Sequence, residues 1–208
     1  MWIPLLLTVL IGYLLGNLNG AVCISQLVAH EDVRDQGSGN AGLTNFIRTY
    51  GAGRSLAVIA IDGGKAVLAC LAGSLLMERY GLDTVGGAIG GASVMLGHVF
   101  PVLLGFRGGK GILSGFFVAL TLDWRVALLI LVVFALAYGL TQYVSLGSVL
   151  GSAAFGIGFS IFHFGEWIMM LCGLFMAGLA LWMHRENISR LLKGQERKTN
   201  LFGKGRKQ

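Results

Sequence analysis

Apolar runs separated by short polar segments dominate the chain, and each run is judged against the roughly 20 residues a helix needs to cross the hydrocarbon of a bilayer. Trp2 to Val28, Ser55 to Met77, Gly86 to Leu104, Val126 to Gln142 and Trp167 to Met183 are predicted spans. Two further runs are weaker. Gly111 to Leu122 is apolar but only 12 residues long, and Val144 to Phe164 is broken up by glycine and serine, so either is a full, partial or re-entrant span. The pattern predicts an all-α polytopic membrane protein with about seven transmembrane helices, or five if the weaker runs do not cross. A single membrane domain over 1–192 and a basic tail over 193–208 complete the expected organisation.

Composition agrees with this reading, since 55% of residues are hydrophobic, only 12% are charged and the mean hydropathy is +0.73. No charged side chain occurs before His30, so the first run lacks the basic segment of a signal peptide and reads as an uncleaved span. Cys23, Cys70 and Cys172 fall within apolar runs and read as buried thiols. No pair of His, Asp or Glu residues has ligand spacing, so neither a metal nor a cofactor is expected.

Orientation follows from the basic residues. Placing segments 29–54, 105–111 and 184–208 on one side collects 13 Lys and Arg residues there, against Arg79 and Arg125 opposite. The positive-inside rule makes the basic side cytoplasmic, puts the N-terminus outside and requires an odd number of spans. The tail from Lys193 reads as a solvated or headgroup-binding extension.

Two polar clusters then open on the cytoplasmic side: GSGNAGLTNFIR from Gly37 to Arg48, and GHVFPVLLGFRGGKG from Gly97 to Gly111. Glycines beside a cation bring backbone N–H groups and positive charge against phosphate oxygens. The second cluster looks like a nucleotide-binding P-loop, but Lys110 is followed by Gly111 rather than by the Ser or Thr that would hold magnesium. What remains is a phosphate site with Arg107 and Lys110 as cations.

Asp62 and Lys65 are expensive inside a span. Either they form a structural ion pair, or Asp62 orients Lys65 into the cavity that holds Lys110 and Arg48. On a helix continued past the last span, His184, Asn187 and Arg190 would share a polar face. The other glycines, including Gly86, Gly87, Gly90, Gly91 and Gly97, suit close helix packing in lipid.

In order and spacing, the blocks DVRDQGSGNAGLTNFIR, IDGGK, GHVFPVLLGFRGGKG, YVSLGS and HRENISRLLKGQERK resemble the PlsY family of bacterial integral-membrane acyl-phosphate:glycerol-3-phosphate acyltransferases, over essentially the whole chain. Arg107, Leu43 and Gln142 depart from the family's usual lysine, alanine and arginine. The resemblance implies transfer of a fatty acyl group from acyl phosphate to the sn-1 hydroxyl of glycerol 3-phosphate, at a site facing the cytoplasm from the inner membrane. It implies Ser38, Arg48, Lys110, His184 and Asn187 as catalytic residues. Gly37, Gly39, Asn40, Thr44, Asn45, Lys65, His98, Arg107, Gly108, Gly109, Gly111 and Ser145 are implied as substrate-binding, with Ser148 nearby.

The expected partners are these two substrates and membrane lipids, with no nucleic acid and no obligate protein partner. Direct attack ranks above a Ser38 acyl-enzyme because no Ser-His-Asp arrangement is legible. The base is either His184 or the donor's own phosphate. A transporter for a phosphorylated solute and a lipid-binding scaffold are the competing classes.

Overall fold

A computed structural model describes residues 1–199; the remaining basic residues of the tail, at 200–208, lie outside the described residues. Among the described residues all regular structure is helical. The α-helices are α1 (Trp2–Asn17), α2 (Gly20–Ala29), α3 (Leu43–Tyr50), α4 (Ser55–Glu78), α5 (Asp83–Val99), α6 (Ile112–Leu122), α7 (Trp124–Thr141), α8 (Val144–Phe162), α9 (Trp167–Met183) and α10 (Arg185–Leu192).

Five segments are long and apolar enough to cross a membrane: Trp2–Ala29, Ser55–Glu78, Asp83–Leu104, Trp124–Thr141 and Val144–Phe162. Val144–Phe162 is an unbroken helix despite its glycines and serines. A sixth is reached if α9 and α10 count as one span, although they bend by 57° at His184. The chain does continue as helix past the last span, but α10 is turned away from the direction of α9. By length alone seven spans are not reached, because α6 has 11 residues and rises only about 16 Å.

The first span is broken at Leu18 and Asn19, and a buried ion pair on α4 holds the break. Lys65 Nζ donates to the Leu18 carbonyl at 2.5 Å and the Gly16 carbonyl at 3.3 Å, and Asp62 Oδ1 accepts from the Gly20 amide at 3.0 Å. The end of α1 leaves carbonyls unpaired and the start of α2 leaves N–H groups unpaired. The cation therefore meets the negative helix end and the carboxylate the positive one. Asp62 and Lys65 are 2.7 Å apart and only 1% and 2% exposed. Removing one member of such a pair generally costs about 3–5 kcal/mol, because the other charge is left buried alone. Asn19 adds a cap by accepting from the Val22 amide at 3.0 Å.

Helices α1, α4 and α5 pack closely because glycine removes the side chain at their crossings. A Cβ at Gly73 would lie 2.1 Å from the Gly86 carbonyl, and one at Gly97 would lie 2.1 Å from the Tyr13 carbonyl. At the end of the bundle away from α3, Asp123 caps α7 by accepting from the Arg125 amide at 2.9 Å. His163 stands 3.1 Å from that carboxylate and 3.2 Å from Glu166, tying the α6–α7 turn to the α8–α9 turn.

Candidate active site

A cavity of about 730 Å³ lies between α3 and the ends of α5 to α10. Its first wall is the 37–42 loop. Gly37 and Gly39 adopt φ of +60° and +71°, and a Cβ at Gly37 would fall 2.4 Å from Asn45 Oδ1. Asn45, buried, organises this loop: Oδ1 accepts from the Ser38 amide at 2.9 Å, while Nδ2 donates to the carbonyls of Val33, Gln36 and Asn40 at 3.0–3.1 Å. Asn45 therefore shapes the loop that presents Ser38, and one helical turn later α3 brings Arg48 to the same rim.

The second wall comes from the 105–111 loop, which folds back on the end of α5. The Gly109 amide donates to the His98 carbonyl at 3.1 Å. A Cβ at Gly108 would sit 1.9 Å from that same carbonyl, and one at Gly109 would sit 2.3 Å from His98 Nε2. These two glycines are required by the protein's own packing, which sets Lys110 in place behind them. Arg34, considered above only for its charge, fastens the same loop. Its guanidinium donates to the Leu104 and Arg107 carbonyls at 2.8 and 3.1 Å while paired with Asp32 at 2.7 Å.

The third wall is the α9–α10 bend. His184 Nδ1 lies 2.8 Å from the Ala180 carbonyl. A carbonyl only accepts, so the ring proton sits on Nδ1 and Nε2 keeps a lone pair. One turn later Asn187 accepts from Lys110 through Oδ1 and donates to Glu196 Oε1 at 3.1 Å. Glu196 also pairs with Arg190 at 2.8 Å.

The described start of the tail, which reads as a solvated or headgroup-binding extension, leaves Gln195, Arg197 and Lys198 exposed but turns Glu196 and Thr199 back toward the site. The Thr199 amide donates to the Gln142 carbonyl at 3.0 Å, and its hydroxyl accepts from Arg48. The roles of Asn19, Arg34 and Glu196 are not marked by any motif; Glu196 stands out only as an acidic residue within a basic tail.

Of the residues expected at the site, the cavity gathers Gly37, Ser38, Gly39, Asn40, Thr44, Asn45, Arg48, His98, Lys110, Gly111, Ser145, His184 and Asn187. It does not bring Lys65, Arg107, Gly108 or Gly109 to its surface. Lys65 is consumed by the break in the first span, and Arg107 is exposed outside the cavity. Partial burial holds the Lys110 ammonium below its ordinary value, and Arg190 pushes the same way. Partial burial lowers Arg48 as well, with Glu196 opposing. Ser145 Oγ, at the start of α8, is buried with no hydrogen-bond partner among the described residues.

Beyond this cationic end the cavity turns apolar, lined by Phe116, Ile130, Leu131, Phe134, Phe155 and Met176 from α6 to α9. One volume thus joins positive charge and N–H donors to a slot suited to a hydrocarbon chain.

The family model described as glycerol-3-phosphate acyltransferase matches residues 6–194. A glycerol-3-phosphate acyltransferase of Thermoanaerobacter sp. (strain X514) is 41% identical over 192 residues, which is 92% of this chain and 94% of that protein. Its counterpart in Clostridioides difficile (strain 630) is 38% identical over 189 residues, covering 90% and 92%. The crystal structure of PlsY, an integral membrane glycerol 3-phosphate acyltransferase, in its glycerol 3-phosphate form superposes with a TM-score of 0.85 at 30% identity, covering 96% of this chain and 99% of that one. The lysophosphatidic acid form gives a TM-score of 0.81, also at 30% identity, covering 95% and 96%. The chain, a multi-pass membrane protein, belongs to the PlsY family of glycerol-3-phosphate acyltransferases.

Proposed function

We propose that the chain transfers a fatty acyl group from acyl phosphate to the sn-1 hydroxyl of glycerol 3-phosphate, giving lysophosphatidic acid and inorganic phosphate. The observation that carries this reading is the single cavity with a cationic end at Arg48, Lys110, His184 and Asn187 and an apolar end between α6 and α9. Each substrate has a phosphate, the donor has an acyl chain, and the product keeps both. The solved relatives, described with glycerol 3-phosphate and with lysophosphatidic acid, support the acceptor and the product.

The acceptor's hydroxyl oxygen attacks the donor's acyl carbon as the bond from that carbon to the phosphate oxygen breaks. The hydroxyl proton passes to His184 Nε2 or to the departing phosphate. A mixed anhydride needs little covalent help, and orientation alone can supply about 7–11 kcal/mol of acceleration. Arg48 and Lys110 hold the phosphates, the 37–42 and 105–111 loops shape this cationic end, and Ser145 Oγ offers a polar contact beside them. The slot from Phe116 to Met176 takes the chain.

The same reading places the site on the cytoplasmic face, with seven spans and the N-terminus outside. The uneven distribution of basic residues supports this orientation.

One assay tests the donor and the orientation. Purified protein with labelled glycerol 3-phosphate is expected to form lysophosphatidic acid from acyl phosphate but not from acyl-CoA or acyl carrier protein. In sealed vesicles, glycerol 3-phosphate added outside should be used only when the 29–54 face is outward. Equal rates from acyl-CoA would refute the donor, and use from the opposite face would refute the orientation.

A further inference from the structure

We propose that His98, held by Lys65 and Asp62, is a positioning residue that fixes the 105–111 loop, and with it Lys110, for the phosphate of glycerol 3-phosphate. The inference rests on the reading of that loop as part of the acceptor's site.

Lys65 Nζ directs its hydrogens at the Leu18 carbonyl at 2.5 Å, at Asp62 Oδ1 at 2.7 Å and at His98 Nδ1 at 2.8 Å. An ammonium group has only hydrogens to offer, so Nδ1 accepts and the imidazole proton sits on Nε2. The ring is then fixed in both tautomer and rotation by a side chain that itself never reaches the cavity.

His98 meets the loop twice. Its carbonyl accepts from the Gly109 amide at 3.1 Å, and its Nε2 edge lies so close to Gly109 that a Cβ there would be 2.3 Å away. The next residue is Lys110, whose ammonium crosses the cavity to Asn187. Rotation of the ring would therefore move Gly109 and redirect Lys110. A buried charged pair is a poor way to gain stability compared with well-packed apolar residues, but it specifies one conformation. Here that conformation is shared by the broken first span and the loop.

Steady-state kinetics on purified variants test the relay. His98→Ala is expected to raise the KM for glycerol 3-phosphate by about tenfold or more, with kcat and the KM for acyl phosphate within about threefold. His98→Gln, which restores an N–H donor near the position of Nε2, should recover most of that loss. Lys65→Met should raise the same KM and add nothing further in the His98→Ala background, because it acts through His98.

Equal losses in kcat and in both KM values, tracking a lowered melting temperature, would overturn the relay and leave a purely structural role. So would independent, multiplying effects of the two substitutions. Where Lys65→Met does not fold, the comparison of His98→Ala with His98→Gln decides, and failure of Gln to rescue overturns the relay. Gly108→Ala separates the two levels of the argument. An unchanged acceptor KM in that variant would overturn the loop reading and the relay together, while a raised KM there with an unchanged one in His98→Ala would overturn the relay alone.

Discussion

Arg48→Ala and Lys110→Ala are each expected to lower kcat/KM by about 10² or more, the loss associated with removing a donor that stabilises charge developing in a transition state. Lys110 is half-buried, and Arg48, although exposed overall, lines the cavity; desolvation there holds both below their ordinary values. A charge there acts through less water than one on the open surface, so its interaction with a phosphate is screened less. Lys110 is aligned by Asn187 and Arg48 by Thr199, so neither has to be ordered at the moment of reaction. Arg54→Ala and Lys193→Ala remove equal charge from exposed positions on the same face and should stay within about threefold. Similar losses in all four variants would mean that bulk charge draws in the substrates and that the cavity contains no discrete phosphate site.

His184→Ala should reduce kcat by about 10² or more, the lower part of the range for a positioned general base. The hydrogen bond to Ala180 fixes the ring so that Nε2, the nitrogen with the lone pair, is the one left to take a proton. His184 is 4% exposed, so bulk water does not readily replace it. The acceptor's KM should change by no more than about threefold, since a base works in the transition state rather than in ground-state binding. A fall in kcat of less than about tenfold would assign the proton to the donor's own phosphate and reduce His184 to a structural element of the bend.

Much of this architecture is legible in the order of residues. The apolar runs locate α4 to within a residue at either end, and the two glycine clusters do meet at one cavity with the His184 and Asn187 turn. Local patterns fail where the deciding contact is remote. The break between α1 and α2 lies inside an apolar stretch whose only hint is Asn17 and Asn19, because its partners are on α4, more than 40 residues away. For the same reason the two readings of Lys65, structural ion pair or site cation, are separated only by its carbonyl partners.

Gly108 and Gly109 read as making room for phosphate, whereas the nearest obstacles to a side chain there are the carbonyl and ring of His98. The return of residues 195–199 joins Arg48 to a residue 151 positions later, which no periodicity reports. His184, Asn187 and Arg190 read as one polar face of a helix continued past the last span. After the 57° bend Asn187 meets Lys110, and both His184 and Asn187 line the cavity.

The central claim is that both substrates occupy this cavity together and react directly. A rapid-mixing experiment with acyl phosphate labelled in both its phosphate and its acyl group, and enzyme in comparable amounts, without acceptor, tests it. The account predicts no burst of inorganic phosphate and no acyl label on the protein until glycerol 3-phosphate is added, after which phosphate and lysophosphatidic acid appear in equal amounts. A burst matching the enzyme concentration before the acceptor arrives, with acyl label retained on Ser38, would contradict it.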